Sequence, residues 1–239
     1  LSVVIPAYNE AGRIGSTLDA VSAYLAAQPY EAEVLVVDDG STDDTARVVA
    51  ARQSGASVRL RLISLDRNRG KGFAVRTGML DEAEGAYRVF YDADASTPVE
   101  ELEKLWPCFQ DGADVVIGSR SLPDSNVQVR QAWYREMMGR VFNRILQLLG
   151  ITPFVDTQCG FKGFTGAACD IVFPRQTIDG FSFDAELLYI ASRFGLRIAE
   201  VPVTWRNSPR SRVNPFIDAT RMFLDLLTIR IKDLAGKYR

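Results

Sequence analysis

The sequence predicts an α/β fold in which a mainly parallel sheet is covered by helices on both faces. Short runs of apolar and β-branched residues, such as those at 3–5 and 34–37, alternate with segments in which apolar residues recur every three or four positions. Such runs are typical of strands buried on both faces, and the longer spacing is typical of helices that bury one side. Strands and helices that alternate in this way indicate a parallel sheet between two helical layers.

The first half of the chain contains five predicted strands, most of them followed by a polar loop and a helix. We predict strands at 1–6, 33–37, 58–64, 88–91 and 114–118. We predict helices at 11–27, 43–54 and 99–111, and a fourth that begins at the glycine-rich loop 68–72. Thr97, Pro98 and Glu100 have the spacing of a capping box with proline at the first helical position.

The second half has longer helices and more basic residues. A helix at 131–149 carries apolar residues spaced by four together with arginines, which makes it amphipathic. A dense polar loop at 156–162 precedes a helix at 183–194, which Ser182 is expected to cap. A strand at 198–205, a basic loop at 206–214 and an amphipathic helix at 216–234 complete the chain.

The charge distribution indicates an anionic partner for the second half. Residues 1–119 carry 11 basic and 19 acidic side chains, whereas residues 120–239 carry 17 basic and 11 acidic ones. A lipid phosphate, the phosphates of a nucleotide or a membrane surface would each account for this asymmetry.

Composition also excludes several classes of function. The chain has no histidine, which excludes Ser-His-Asp and Cys-His catalysis. Its three cysteines have neither a disulfide nor a zinc-site pattern, which favours a reducing compartment. No apolar run approaches the roughly 20 residues that span a bilayer. The chain begins at Leu1 rather than Met, which leaves open a membrane anchor ahead of it.

Polar loops follow the predicted strands of the first half. Because ligands of parallel α/β sheets bind beyond the carboxyl ends of the strands, we expect these loops to converge on one site. The loops are 6–10, 38–41, 68–72, 92–96 and 118–120. The first lacks the G-x-G-x-x-G of a dinucleotide-binding dehydrogenase, and Gly70-Lys71-Gly72 lacks the rest of a phosphate-binding P-loop.

Asp92 and Asp94 follow the strand at 88–91, with one residue between them. In an extended segment, side chains two positions apart point the same way, so both carboxylates would face one point. Two hard oxygen ligands suit Mg²⁺ or Mn²⁺, and these ions also bind substrate phosphates. The pattern predicts a divalent-metal site, and its alternative is a polar turn in which the aspartates accept local hydrogen bonds.

Five motifs resemble those of the inverting GT-A glycosyltransferases of the second sequence family. In chain order they read VIPAYNE (4–10), VDDGS (37–41), NRGKG (68–72), DAD (92–94) and GSR (118–120). Three further segments, 156–162, 183–188 and 213–216, resemble the branch of dolichyl- and polyprenyl-phosphate beta-glucosyltransferases. The related mannosyl branch usually has a different loop at 156–162 and often a glutamine where this chain has Ser96.

The resemblance implies a single GT-A catalytic domain over 1–239. Residues 1–120 would bind the nucleotide sugar, and 121–239, with its amphipathic membrane-facing helices, would bind the acceptor. The implied reaction moves glucose from UDP-glucose to a polyprenyl phosphate with inversion, and Mg²⁺ or Mn²⁺ at Asp92 and Asp94 would assist the leaving diphosphate. The residues implied around the nucleotide sugar are Pro6, Ala7, Tyr8, Glu10, Asp39, Lys71, Asp92, Ala93 and Arg120.

A lipid phosphate acceptor is largely ionised at neutral pH, because its second pKa is about 6. Such an acceptor needs arginines that hold it more than a base that activates it. The expected arginines are Arg120, Arg135, Arg140 and Arg212. The candidate catalytic residues are Asp94, Asp156, Asp184 and Arg212. Asp156 and Asp184 are candidates for a base or for orienting the acceptor, and structural capping is the alternative role of each.

Three other functions stay open from the sequence: a GDP-mannose-dependent mannosyltransferase, a GT-A enzyme with a soluble hydroxyl acceptor, and a sugar-nucleotide-binding scaffold without turnover. The basic amphipathic helix at 131–149 argues against a soluble acceptor, because such helices suit a membrane surface. We therefore expect peripheral attachment on the cytoplasmic side of a membrane and no nucleic-acid partner. The sequence does not predict an oligomeric state.

Overall fold

The computed structural model describes residues 1–129, 133–207 and 217–238, apart from the side chains of 134, 135 and 217–221. The described strands are β1 (Ser2–Ala7), β2 (Glu33–Asp38), β3 (Arg59–Ser64), β4 (Tyr87–Tyr91), β5 (Val115–Ser119), β6 (Asn126–Val129), β7 (Phe161–Thr165), β8 (Ile198–Pro202) and β9 (Thr204–Arg206). The described α-helices are α1 (Ile14–Ala26), α2 (Thr45–Gln53), α3 (Lys71–Arg76), α4 (Leu105–Gln110), α5 (Trp133–Leu148), α6 (Gly166–Val172), α7 (Phe183–Arg193) and α8 (Ile217–Leu234). A π-helical segment, Thr77–Glu82, continues α3, and a 3-10 segment, Val99–Lys104, precedes α4.

Seven of these strands form one sheet in the order β3-β2-β1-β4-β7-β5-β8. The pairs β1–β2, β2–β3, β1–β4 and β5–β8 are parallel, as predicted for a mainly parallel sheet. The register pairs Ala7 with Asp38 and Asp38 with Ser64, so the carboxyl ends of β1, β2 and β3 lie side by side. This alignment brings the loops after the strands to one edge.

Strand β7 lies in the middle of the sheet and is antiparallel to both of its neighbours, β4 and β5. The prediction that 156–162 is a loop is therefore wrong at its end, because Phe161 and Lys162 already belong to this strand. Lysine and glycine interrupt the apolar run of β7, so its sequence lacks the pattern of a central strand. Lys162 nevertheless has no exposed surface, because its ammonium is paired with the carboxylate of Asp184.

The core has two layers, one on each face of the sheet. Helices α1, α2 and α4 pack against one face through Leu18, Val49 and Phe109. Helices α3, α6, α7 and α8 pack against the other face, together with the buried end of α5. Alternate strand residues contribute to opposite layers, as Val3 and Val4 do, because successive side chains of a strand point to opposite faces.

Two predicted helix caps are wrong. Thr97 makes no capping bond, because Pro98 is the residue that precedes the 3-10 segment. The carbonyl of Thr97 instead accepts a hydrogen bond from the Tyr91 hydroxyl at 2.5 Å. Ser182 precedes α7 but likewise makes no side-chain capping bond. Both side chains are buried, and the Ser182 hydroxyl has no hydrogen-bond partner among the described residues.

The predicted strand at 198–205 divides into two strands that belong to different sheets. β8 completes the main sheet, whereas β9 pairs in parallel with β6, a strand that the sequence did not predict.

Helices α5 and α8 confirm the predicted amphipathic segments, and each leaves large apolar side chains exposed. Those exposed side chains are Trp133, Met137, Val141, Leu148, Phe223, Leu224, Leu227, Ile231 and Leu234. Among the described helices, none combines the length and the hydropathy that a bilayer crossing requires.

Candidate active site

Asp39 joins the loops that follow β2 and β3. Its two carboxylate oxygens accept hydrogen bonds from the backbone N–H groups of Arg69 and Gly70, each at 2.8 Å. The side chain is buried, and burial raises the pKa of Asp39 while the two backbone donors act in the opposite direction. Asp39 therefore fixes the entry to the glycine-rich loop, and each of its oxygens retains a lone pair for a further donor.

The loop after β1 closes against the start of α2. Asn9 adopts a left-handed conformation with φ of 54°, and its side-chain oxygen accepts a hydrogen bond from the Thr42 N–H at 2.8 Å. The Glu10 N–H donates to the Thr45 hydroxyl at 2.7 Å, and the Glu10 carboxylate forms an ion pair with Arg13. Tyr8 is the exposed member of this loop, whereas Pro6 and Ala7 are buried in β1.

Asp92 and Asp94 lie at the end of β4, in a turn rather than in the extended segment that the sequence predicted. Ala95 has a φ of 49°, and its N–H donates to the carbonyl of Asp92 at 3.1 Å. Asp94 accepts a hydrogen bond from the Ser96 N–H at 3.0 Å and lies 3.9 Å from the Arg13 guanidinium. Burial, and after it the negative charge of Asp92, raise the pKa of Asp94. Ala93 is buried between the two aspartates.

Lys71 brings a positive charge to this turn. Its ammonium lies 2.7 Å from Oδ1 of Asp92. Burial alone would lower the pKa of Lys71, but the carboxylates of Asp92 and Asp184 outweigh burial and raise it. Gly160 leaves room for this contact, because a Cβ at that position would overlap the Asp92 carboxylate. The turn after β4 therefore holds an anionic pair that a neighbouring cation already stabilises.

The chemistry of Asp92 and Asp94 fits a divalent cation. Carboxylate oxygens are the ligands that Mg²⁺ and Mn²⁺ prefer, and a cation would offset the mutual repulsion that raises the pKa of Asp94. Within the described residues, no three acidic, cysteine or histidine side chains are grouped so as to hold a metal. Two protein carboxylates are nevertheless a common donor set for Mg²⁺, since it usually keeps several waters and binds substrate phosphates.

Arg120 and Asp156 form a bidentate ion pair across the sheet edge, in which Asp156 is buried and the Arg120 side chain is 25% exposed. Nε and Nη2 of Arg120 each lie 2.7 Å from an Asp156 oxygen, and the Arg120 N–H donates to the same carboxylate at 2.9 Å. Burial alone would raise the pKa of Asp156, but the Arg120 guanidinium outweighs it and lowers that pKa. An aspartate held in this way is a poor proton acceptor, which argues against the role of base expected for Asp156.

Lys162 and Asp184 form a second buried ion pair. The Lys162 ammonium donates to Oδ1 of Asp184 at 2.5 Å and to the carbonyl of Cys159 at 2.6 Å. Burial raises the pKa of Asp184, and the charges of Lys162 and Lys71 act against that rise. Sequence reasoning did not select Lys162 as a site residue. The sequence feature that could have identified it is a lysine among apolar residues, between Phe161 and Gly163-Phe164, because a charge buried there needs a partner.

Two of the expected acceptor arginines have side chains that the structure describes, and of these Arg120 reaches the site whereas Arg140 does not. Arg140 is on the surface of α5, where its side chain is 79% exposed and lies 3.6 Å from Glu136 in the same helix. The side chain of Arg135 and the whole of Arg212 lie outside the described residues. Arg120 is the expected arginine that reaches the sheet edge, and there it is paired with Asp156.

Comparison with known proteins relates the chain to one family over most of its length. The family model described as glycosyl transferase family 2 matches residues 2–166. The dolichyl-phosphate beta-glucosyltransferases of Dictyostelium discoideum, Homo sapiens and Saccharomyces cerevisiae are 34%, 35% and 36% identical to the chain. These matches cover 100% of this chain and 76%, 77% and 76% of the three relatives.

Solved structures with a similar fold are those of glucosyl-3-phosphoglycerate synthase from Mycobacterium tuberculosis. One, in complex with Mn²⁺, UDP-glucose and phosphoglyceric acid, has a TM-score of 0.71 at 22% identity and covers 99% of this chain and 79% of its own. Another, in complex with Mg²⁺ and UDP, has a TM-score of 0.69 at 22% identity and covers 97% of this chain and 78% of its own. This likeness confirms the predicted GT-A fold.

Proposed function

We propose that this chain, which belongs to glycosyl transferase family 2, transfers glucose from UDP-glucose to dolichyl phosphate. The similarity to dolichyl-phosphate beta-glucosyltransferases extends over the whole chain and supports both the sugar and the acceptor. The observation that carries the proposal is the cluster of Asp92, Asp94 and Lys71 at the carboxyl edge of the sheet. Ligands of such sheets bind at that edge, and these charges suit a diphosphate with its cation.

The donor would lie along the loops that follow β1, β2 and β4. We assign Tyr8, Glu10 and Asp39 to the nucleoside, with Pro6 and Ala7 forming the floor beneath it. Asp92 and Asp94, with Ala93 between them, would hold Mg²⁺ or Mn²⁺, and that ion would supply Lewis-acid assistance to the departing diphosphate. Lys71 would offset the remaining charge of the diphosphate, since its ammonium already lies at Asp92.

The acceptor would react without a general base. The lipid phosphate is an anion near neutral pH, and one of its oxygens would attack the sugar carbon while the bond from that carbon to UDP breaks. Attack from the side opposite UDP inverts the configuration. Two observations support this scheme, because Asp156 is paired with Arg120 and Asp184 is paired with Lys162. We assign Arg135 and Arg212 to the acceptor phosphate, and Arg212 also to closing the site. Arg140 is 79% exposed on the outer surface of α5, so we assign it to the membrane surface instead.

We further propose that 1–120 and 121–239 divide the work of one catalytic domain between donor and acceptor. Lys71 and Asp92 come from the first part, and Asp156, Lys162 and Asp184 come from the second. The position of β7 between β4 and β5 supports treating both parts as a single folding unit.

The outer faces of α5 and α8 suit a membrane surface. Their exposed apolar side chains include Met137, Val141, Ile231 and Leu234, and Arg140 and Arg144 are exposed on α5. Apolar area and basic charge act together in binding anionic bilayers. We therefore propose peripheral attachment to the cytoplasmic leaflet, where a dolichyl phosphate headgroup is accessible.

A transfer assay tests the proposed reaction directly. Purified protein would be incubated with Mn²⁺, dolichyl phosphate and either radiolabelled UDP-glucose or radiolabelled GDP-mannose, and the lipid fraction would be counted. We expect label from UDP-glucose in the lipid fraction and background counts from GDP-mannose. Transfer from GDP-mannose but not from UDP-glucose would contradict the proposed donor. Transfer to a soluble sugar in place of the lipid would contradict the proposed acceptor.

A further inference from the structure

Glu186 is a fully buried carboxylate that takes no part in the reaction proposed above. It lies in the first turn of α7, two residues after Asp184, and has 0% exposed surface. Its Oε2 accepts hydrogen bonds from the N–H groups of Thr177 and Ile178 at 2.9 and 2.8 Å. Its Oε1 accepts from the hydroxyls of Thr177 and Tyr238, both at 2.5 Å. Four donors on one buried carboxylate offset its desolvation and fix their own positions.

The segment that Glu186 holds is in turn the support of the glycine-rich loop. The carbonyl of Asp179 accepts a hydrogen bond from the Gly72 N–H at 2.7 Å, and the Gln176 side-chain amide donates to the Gly72 carbonyl at 2.8 Å. A Cβ at Gly72 would lie 2.6 Å from the carbonyl oxygen of Ile178, so the two segments are in close contact. The first turn of α3, which carries Lys71, therefore rests on residues 176–179.

The C-terminal segment forms the outer wall of this arrangement. Tyr238 is buried, and its hydroxyl is the donor to Glu186 that comes from outside the 177–178 segment. The Lys232 ammonium also donates to the Thr177 hydroxyl, at 2.5 Å. A continuous set of contacts thus runs from the end of the chain through Glu186 and residues 176–179 to Gly72 and Lys71.

We propose that Glu186 is a positioning residue for the donor site and that Tyr238 is its outer support. Glu186 fixes residues 176–179, these fix the first turn of α3, and that turn holds the Lys71 ammonium at Asp92 for the diphosphate. The role of Lys71 in this inference rests on the proposed function. The contacts that run from Tyr238 to the amide of Gly72 do not depend on the proposed function.

The test compares Tyr238→Phe with Tyr189→Phe. Each variant loses one phenol hydroxyl between α7 and the C-terminal region, because the Tyr189 hydroxyl donates to Asp233 at 2.7 Å. The hydrogen bonds of the Tyr189 hydroxyl go to Asp233 and Arg230 rather than to residues 176–179, and both variants keep the contact between the Tyr189 and Tyr238 rings, so Tyr189→Phe is the matched control. Calorimetry with UDP and Mn²⁺ would measure donor binding, amide hydrogen exchange would measure protection at Gly72 and Phe73, and thermal unfolding would measure stability.

We expect Tyr238→Phe to raise the Kd for UDP about threefold to tenfold, the effect of weakening one hydrogen-bonded support. Exchange at the Gly72 and Phe73 amides should rise by a similar factor. Tyr189→Phe should change neither, although it lowers the Tm comparably. Glu186→Leu should raise the Kd for UDP more than tenfold, because it leaves the buried Thr177 and Ile178 N–H groups without their acceptor.

Equal Kd values for UDP and equal exchange at Gly72 in the two phenylalanine variants would overturn the proposal, since Glu186 would then act only in stability. Increased exchange at Gly72 with an unchanged Kd would also overturn the assigned role in donor binding. If the wild-type protein bound no UDP, the proposed function would fail, and the exchange comparison would still decide the mechanical link.

Discussion

At the carboxyl edge of the sheet charged side chains are buried, whereas on the outer faces of α5 and α8 large apolar side chains are exposed. Lys162 has 0% exposed surface at the edge, while Ile231 and Leu234 are 65% and 84% exposed on α8. Burial of a charge is unfavourable unless a partner compensates it, and exposure of a large apolar surface is unfavourable unless something covers it. The edge contains its compensating partners within the chain, but the helix faces do not, which is why we assign a lipid surface to them.

The largest effect should come from breaking the buried pair at the sheet edge. Lys162→Met leaves the Asp184 carboxylate buried without its ammonium, and we expect it to lower the free energy of unfolding by about 3–5 kcal/mol. Urea unfolding would measure the change. Arg47→Met, which removes an exposed partner of Asp44, is the control and should have no resolvable effect.

A double variant sharpens this prediction. Lys162→Met combined with Asp184→Leu removes both charges, and stability should recover substantially because no unpaired carboxylate remains. A double variant that is as unstable as Lys162→Met alone would show that shape rather than charge pairing decides the cost at this position.

The second effect concerns transfer rather than stability. Asp94→Asn removes one of two carboxylates proposed to hold the cation, and we expect glucosyl transfer to fall about 100-fold or more, with Mn²⁺-dependent UDP binding weakened as well. Asp81→Asn, at an exposed position on the π-helical segment, should leave both unchanged. Wild-type transfer that persists in excess chelator would contradict the metal site.

The third effect tests the exposed helix faces. Charge reversal at Arg140 and Arg144 should weaken binding to phosphatidylserine-containing vesicles about 30-fold or more, since each basic residue near an anionic surface contributes roughly 1 kcal/mol. Flotation would measure binding. The same reversal at Arg47, an exposed arginine on α2, should have little effect. Flotation that is unaffected in the α5 variant would remove the proposed membrane contact of this helix.

The smallest effect is a dependence on pH at Asp156. Arg120 holds the pKa of Asp156 below its usual value, so the ionised carboxylate stabilises the fold above the unfolded pKa of about 3.9. That contribution is lost as the pH falls through the lower folded pKa. Asp156→Asn lacks the contribution throughout, and its stability should therefore decline less steeply than that of wild type below about pH 4. Unfolding followed across the acid range measures the difference.

The same variant also tests the base-free reaction. We expect the pH profile of transfer near neutrality to have the same shape in wild type and in Asp156→Asn. An acidic limb in wild type that the variant loses would make Asp156 a base and contradict the proposed mechanism.

Local sequence patterns are enough to predict the order of elements in the first half of the chain and the loops that form the site. Apolar runs and helical spacing are local properties, so strands β1, β2 and β4 and helix α1 could be predicted within a few residues. The convergence of the motifs around Asp39, Lys71 and Asp92 on one site could also be predicted. In parallel sheets the carboxyl ends of the strands meet at one edge, whatever their separation in the chain.

The pairing of the buried charges and the position of β7 in the sheet depend on tertiary packing, and local patterns do not predict them. Arg120 was expected to hold a phosphate and instead holds Asp156, 36 residues away; Lys162 and Glu186 were not selected at all. The spacing of residues along the chain predicts neither the partner of a buried charge nor the neighbour of a strand. Both depend on which distant segments pack together. β7 shows this directly: its lysine is tolerated in the centre of a sheet because α7 brings Asp184 to within 2.5 Å of it.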